Sequence, residues 1–152
     1  MLANKIKRDI RRGQLIFLLF IGFSVQCVVA QVRKNDIEGI WTLDHLNTYA
    51  GIALDIKQQL DTTATFRSKI DELFVGRKVL FDPSGNYRQI LQNGQITDAK
   101  WDLNGRILII TDPQGFEHTQ RIVELTEAIM VIEPMLLQGV RPFIPRYFFI
   151  KN

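Results

Sequence analysis

Four clusters of turn-forming residues punctuate the chain at short, regular intervals: Asp82-Pro83-Ser84-Gly85-Asn86, Asn93-Gly94, Asn104-Gly105 and Asp112-Pro113-Gln114-Gly115. Gly and Asn tolerate positive φ and Pro presets the first turn position, so each cluster reverses the chain locally. The segments between them, Lys78–Phe81, Tyr87–Gln92, Ile96–Asp102 and Arg106–Thr111, are short and rich in β-branched and aromatic residues. They read as consecutive antiparallel strands. The same rhythm continues through Phe116–Leu125, breaks at Thr126-Glu127, and resumes at Ala128–Glu133 and about Ile144–Lys151. With an initial strand at about Gly39–Leu46 there are eight, the number that closes a small all-β, antiparallel, up-and-down barrel around one small ligand. Closure also removes the sheet edges that otherwise invite aggregation.

One stretch departs from this rhythm. From Ile52 to Phe74 the positions Ile52, Ile56, Leu60, Thr63, Phe66, Ile70 and Leu73 recur every three or four residues, a helical stripe, and Gly76 is suited to terminate it. The pattern predicts one interrupted helix or two short ones, at about 52–75, between the first and second strands, with Asp61 to Thr63 as a capping point. Farther on, Met135-Leu136-Leu137 and Val140 form a loop between Pro134 and Pro142 that is too apolar for a solvated connection. Those side chains either pack over one end of the barrel, line a ligand entrance, or touch a membrane or partner.

The first thirty residues belong to a different part of the story. Lys5, Lys7, Arg8, Arg11 and Arg12 precede the apolar run Leu15–Phe23, and Val28-Val29-Ala30 offers a cleavage site, so residues 1–30 read as an export signal and 31–152 as the working domain. An uncleaved anchor is the rival reading, but Ser24 and Gln26 interrupt the apolar run short of the roughly 20 residues a span requires. Cys27, the only cysteine, leaves a lipid-anchored form open, although Ser24-Val25-Gln26 is a poor lipobox. The chain carries a formal charge of +3, yet the first thirty residues hold five of the 19 Lys/Arg and one of the 16 Asp/Glu, leaving 14 against 15. A near-neutral domain with scattered cations has no electrostatic basis for holding nucleic acid. Cleavage would also leave a domain without disulfides, which leans toward a bacterial periplasm or envelope.

At the start of that domain, Ile37-Glu38-Gly39-Ile40-Trp41-Thr42-Leu43 resembles the Gly-x-Trp signature of the lipocalin and calycin barrels. Phe81-Asp82-Pro83-Ser84-Gly85-Asn86-Tyr87, Trp101-Asp102-Leu103-Asn104-Gly105 and Ile122-Val123-Glu124-Leu125-Thr126 look like the strand-turn pattern of bacterial secreted lipocalin-like domains. The resemblance spans about 37–152. It implies that Gly39 eases the chain into the first strand and that Trp41 plugs the closed end. It implies further that an Arg lies across the Trp, with Arg146 the best-placed candidate and Arg141 second; such a contact contributes about 0.5–2 kcal/mol. The helical segment departs from the better-known animal lipocalins, whose corresponding loop is a lid without a long helix.

The function implied is binding of a small hydrophobic or amphipathic molecule in a secreted, periplasmic or envelope barrel, with the helical segment covering the mouth and no cofactor. Tyr87, Gln89, Arg121 and Tyr147 are the candidate polar wall, and Phe66 and Ile70 the candidate contacts from the helical cover. Arg121 anchors a carboxylate head if it faces inward and has no such role if it faces out. Catalytic chemistry finds little support. His45 and His118 lack metal-ligand spacing, the domain after residue 30 has only Ser68 and Ser84 as serines, and Asp98, Asp102, Glu117 and Glu124 read as solvent-facing strand residues rather than a working pair. The competing reading is an envelope interaction module with a solid barrel core, acting through the loop at 135–140. Membrane association through that loop or through lipidated Cys27 also stays open.

Overall fold

A computed structural model describes residues 31–137 and 139–152. The expected export signal and Cys27 lie outside the described residues. A short helix α1 (Lys34–Ile37) leads into strand β1 (Gly39–Leu43), and three helices follow: α2 (His45–Ala50), α3 (Leu54–Thr62) and α4 (Ala64–Phe74). Seven strands complete the domain, β2 (Lys78–Phe81), β3 (Asn86–Ile90), β4 (Ile96–Asn104), β5 (Ile107–Thr111), β6 (Glu117–Leu125), β7 (Ile129–Pro134) and β8 (Tyr147–Lys151). All pair antiparallel with their sequence neighbours, and β8 returns to β1, giving a closed barrel. The architecture is the eight-stranded up-and-down barrel that the turn spacing predicts, and it is compatible with a lipocalin-like fold.

Alternation along the strands fills the interior. Trp41 and Leu43 of β1, Val79 and Phe81 of β2, Leu108 and Ile110 of β5, and Met130 and Ile132 of β7 are all buried, together with Trp101, Ile122 and Phe149. Phe81 sits at the centre of an aromatic cluster, 5.3 Å from the Tyr87 ring and 5.4 Å from that of Trp101. The β6–β7 ladder slips between Ile122 and Glu124, and Arg106 Nη1 donates to the carbonyls of Ile122 (3.0 Å) and Val123 (3.1 Å) at that irregularity.

The end at which β1 begins is stoppered by α1. Ile37 is fully buried, and its carbonyl accepts from Trp41 Nε1 at 2.6 Å. Gly39 has φ +124°, a backbone that side chains disfavour, and a Cβ there would meet Lys151 Cε at 3.1 Å. The reason is that Lys151, opposite Trp41 in the β1–β8 ladder, places its Nζ 4.9 Å from the Trp41 ring centroid. This corrects the expectation for Arg146. Its guanidinium instead donates to Glu133 Oε1 at 2.8 Å on the exterior, while Arg141 pairs with Asp55 at 3.4 Å. Arg146 precedes β8, so it cannot reach the end of the barrel where Trp41 and Lys151 meet.

The opposite end carries the helices. The helical segment is indeed broken, at Thr63 (φ −126°, ψ 88°), into α3 and α4. A second, smaller core forms beneath it from Ile52, Leu60, Ile70 and Ile144. Two strand boundaries differ from expectation by three residues, the others by at most two. β1 stops at Leu43 because Asp44 accepts from the Asn47 N–H at 3.1 Å and so starts α2, placing His45 on a helix. β8 starts only at Tyr147, since Ile144 is drawn into the second core and Pro142 and Pro145 supply no ladder donors.

Candidate functional site

A large concavity lies outside the barrel proper, between its helical cover and its rim. It is a groove of about 690 Å³ with walls from α2, α4, the β3–β4 turn and Ile144. Its apolar surface comes from Leu46, Ile52, Ile70, Phe74, Val75 and Ile144, its polar fringe from His45, Arg67, Asp71, Glu72, Gln92 and Asn93. The polar groups are partly committed to holding the walls in place. Asn93 Nδ2 donates to Glu72 Oε1 at 2.8 Å, tying the β3–β4 turn to α4, and Arg67 pairs with Asp61 at 2.5 Å. Arg67 and Lys57 each lie 5.6 Å from the Tyr49 ring, whose hydroxyl is buried without a partner. Thr48 anchors α2 to the barrel, its hydroxyl oxygen accepting from the Phe148 N–H at 3.1 Å.

A chamber inside the barrel is an order of magnitude smaller, about 60 Å³, with Arg77, Tyr87, Gln120 and Tyr147 as its polar wall. Arg77 Nε and Gln120 Oε1 are both buried without hydrogen-bond partners. Burial pushes the Tyr87 and Tyr147 hydroxyls up from the usual phenol range, with the nearby Arg77 cation pulling the other way. Arg77 itself lies 5.7 Å over the Tyr147 ring.

Phe74 and Tyr147 separate the two spaces. Their rings lie 6.1 Å apart at 31°, and both residues pack against the barrel core and the helical core. Phe74 lines the groove, whereas Tyr147 lines the internal chamber.

The six candidate contacts read from sequence fall in different places. Tyr87 and Tyr147 line the chamber, and Gln89 is half-buried beside it, accepting from the Tyr87 hydroxyl at a long 3.4 Å. Ile70 lines the groove, but Phe66 is 47% exposed and packs edge-on against Phe143 at 6.4 Å. Arg121 faces outward, pairing with Glu133 at 2.6 Å, so the carboxylate-anchoring role conditional on an inward Arg121 does not apply. Arg77 and Gln120 are the polar interior residues that sequence reasoning passed over. A signal for each was present: Arg77, just before β2, stands two residues before Val79 and four before Phe81 and so continues the inward face of that strand, and Gln120 stands two before Ile122 on the inward face of β6.

His118 is exposed and 3.7 Å from Asp112, whereas His45 stands on α2. A third depression, of about 510 Å³, runs along β2–β5, where Arg88 pairs with Asp98 at 2.6 Å and Lys100 bonds to Asn86. Its charged groups already have hydrogen-bond partners, Asp82 accepting from Asn86 and Asp112 from the backbone N–H groups of Gln114 and Phe116. Among the described residues no group of three or more His, Cys, Asp or Glu is arranged to hold a metal ion, and no helix is long and apolar enough to cross a membrane. Comparison of the chain with protein-family models, with curated proteins and with solved structures returned no match.

Proposed function

We propose that this chain is a secreted or periplasmic lipocalin-like binding protein, without catalytic activity, that takes a small amphipathic molecule in the groove between its helices and the barrel rim. The observation carrying this reading is the contrast in free volume: about 690 Å³ under the helices against about 60 Å³ within the barrel. The former is in the range of small-molecule sites, and an apolar floor with a few polar groups on the rim suits a ligand with a tail and a head. The barrel is then a rigid support, filled by Trp41, Phe81, Trp101 and Phe149, and the binding surface is built on top of it. Commitment of Arg67 to Asp61 and of Glu72 to Asn93 favours binding over acid–base chemistry.

Native mass spectrometry of the protein isolated from its own host tests this, alongside a Ser68→Trp variant whose indole occupies the groove. The expected result is a co-purifying small molecule on the wild type that is absent from the variant. A wild type carrying nothing, or a ligand held equally by both, refutes the groove.

A second reading, that of an interaction module, draws on the loop after β7. Met135, Leu136, Leu137 and Val140 are 49, 49, 84 and 55% exposed, so they do not fold back over the barrel end. Such a surface is suited to a partner or a membrane, and lipidation of Cys27 would reinforce the latter. Replacing Leu136 and Leu137 by Ser leaves groove binding intact on the first reading and abolishes envelope association on the second.

A further inference from the structure

The internal chamber is too small for a whole ligand, yet its wall is chemically incomplete. Among the described residues no carboxylate lies within ion-pair distance of Arg77. Its Nε–H is buried and unpaired, and so is Gln120 Oε1 across the same 60 Å³ space. Buried polar groups left without partners carry a penalty that a suitable guest removes. We infer that this chamber receives the carboxylate head of an amphipathic ligand whose tail lies in the groove. The inference rests on the groove reading and adds to it the chemistry of the head and the residue that selects it.

Four side chains support an oxyanion in particular. Arg77 offers guanidinium donors, Tyr87 and Tyr147 offer hydroxyls, and Gln120 presents its NH₂ once the amide turns over, a rotation that exchanges donor for acceptor at no covalent cost. No acidic residue lines the chamber to compete. Its volume admits a few water-sized groups, which matches a carboxylate and excludes an acyl tail. The tail therefore has to remain on the groove side of Phe74 and Tyr147. Phe74 ends α4 three residues before Arg77, so swinging the Phe74 ring off Tyr147 opens a path directly from the groove to the guanidinium.

Dodecanoate and 1-dodecanol, probes of equal chain length, distinguish the head from the tail when titrated calorimetrically into the full chain at neutral pH. The expected result is dodecanoate binding at least tenfold tighter than dodecanol to the wild type, with Arg77→Met removing that preference and leaving dodecanol affinity unchanged. Tyr87→Phe, a milder change that keeps the core ring, reduces dodecanoate affinity severalfold and also leaves dodecanol alone. Ser68→Trp weakens both probes. Equal affinity of the two probes for the wild type overturns the inference while leaving the groove reading standing, as does a dodecanoate preference that survives both Arg77→Met and Tyr87→Phe. Failure of both probes to bind overturns the groove reading and this inference with it.

Discussion

Replacing Gly39 by Ala probes the closed end of the barrel through two distinct effects. The backbone there sits at φ +124°, where a non-glycine residue is strained by about 1–3 kcal/mol. Against that, an Ala restricts the unfolded chain and recovers about 0.4–1 kcal/mol. The new methyl also meets Lys151 Cε at 3.1 Å, close enough to push the lysine stem aside and move its ammonium off the Trp41 face, a contact of about 0.5–1 kcal/mol at a partly exposed site. The net expectation is a loss of about 1–3 kcal/mol. Urea unfolding, at constant m-value, reads this as a midpoint lower by roughly 1 M. A double-mutant cycle separates the two effects. In a Lys151→Ala background the steric part is already gone, so Gly39→Ala costs about 0.5–1 kcal/mol less than in the wild type. A neutral or stabilising Gly39→Ala refutes the backbone argument, and an unchanged cost in the Lys151→Ala background refutes the contact.

Three further outcomes are expected. Trp41→Phe leaves the buried Ile37 carbonyl without its 2.6 Å donor and removes part of a core ring system, lowering unfolding free energy by about 2–4 kcal/mol in denaturant titrations. Thr48→Val keeps the side-chain volume but strips the Phe148 N–H of its acceptor, a loss of about 1–2 kcal/mol that Thr48→Ser largely avoids; equal effects of the two would remove the hydrogen bond from the account. Hydrogen bonds from Arg121 and Arg146 hold the Glu133 carboxyl below the usual glutamate range, so its contribution is present above that range and disappears as pH falls through the depressed value. The wild type should therefore exceed Glu133→Gln in melting temperature at neutral pH, with the gap closing in acid.

The strand pattern was legible because its determinants are local. A Pro-Ser-Gly-Asn or Asn-Gly string decides a turn within four residues, and eight such segments have few ways to pack other than closing on themselves. The start of α2 was equally local, in the spacing Asp44 to Asn47, but the apolar residues around it read as a continuation of β1. Other features were out of reach. That Lys151 and not Arg146 covers Trp41 depends on how β8 registers on β1, a pairing across more than a hundred residues that turn chemistry does not set. The inward direction of Arg77 could have been read by counting back in twos from Phe81, whereas the groove exists only because α4 and the β3–β4 turn meet through Glu72 and Asn93. No single segment carries that information.

The seam between β1 and β8 also has a kinetic meaning. Strands β3 to β8 each join their predecessor through a hairpin turn or a single loop, and β2 joins β1 across the helical segment, so those ladders can zip progressively, whereas Trp41 and Lys151 must find each other over a separation in sequence of 110 residues. Loop-closure entropy is thereby concentrated in one contact, which places the slow part of folding there. Until it forms, the sheet has two unpaired edges, carrying Ile40 and Thr42 on one side and Phe148 and Ile150 on the other, and it is in this open state that the chain is most exposed to strand-to-strand association with its own copies. The bond from the Asn152 N–H to the Ile40 carbonyl and that between Thr42 Oγ1 and Asn152 Oδ1 fasten the seam once it has closed.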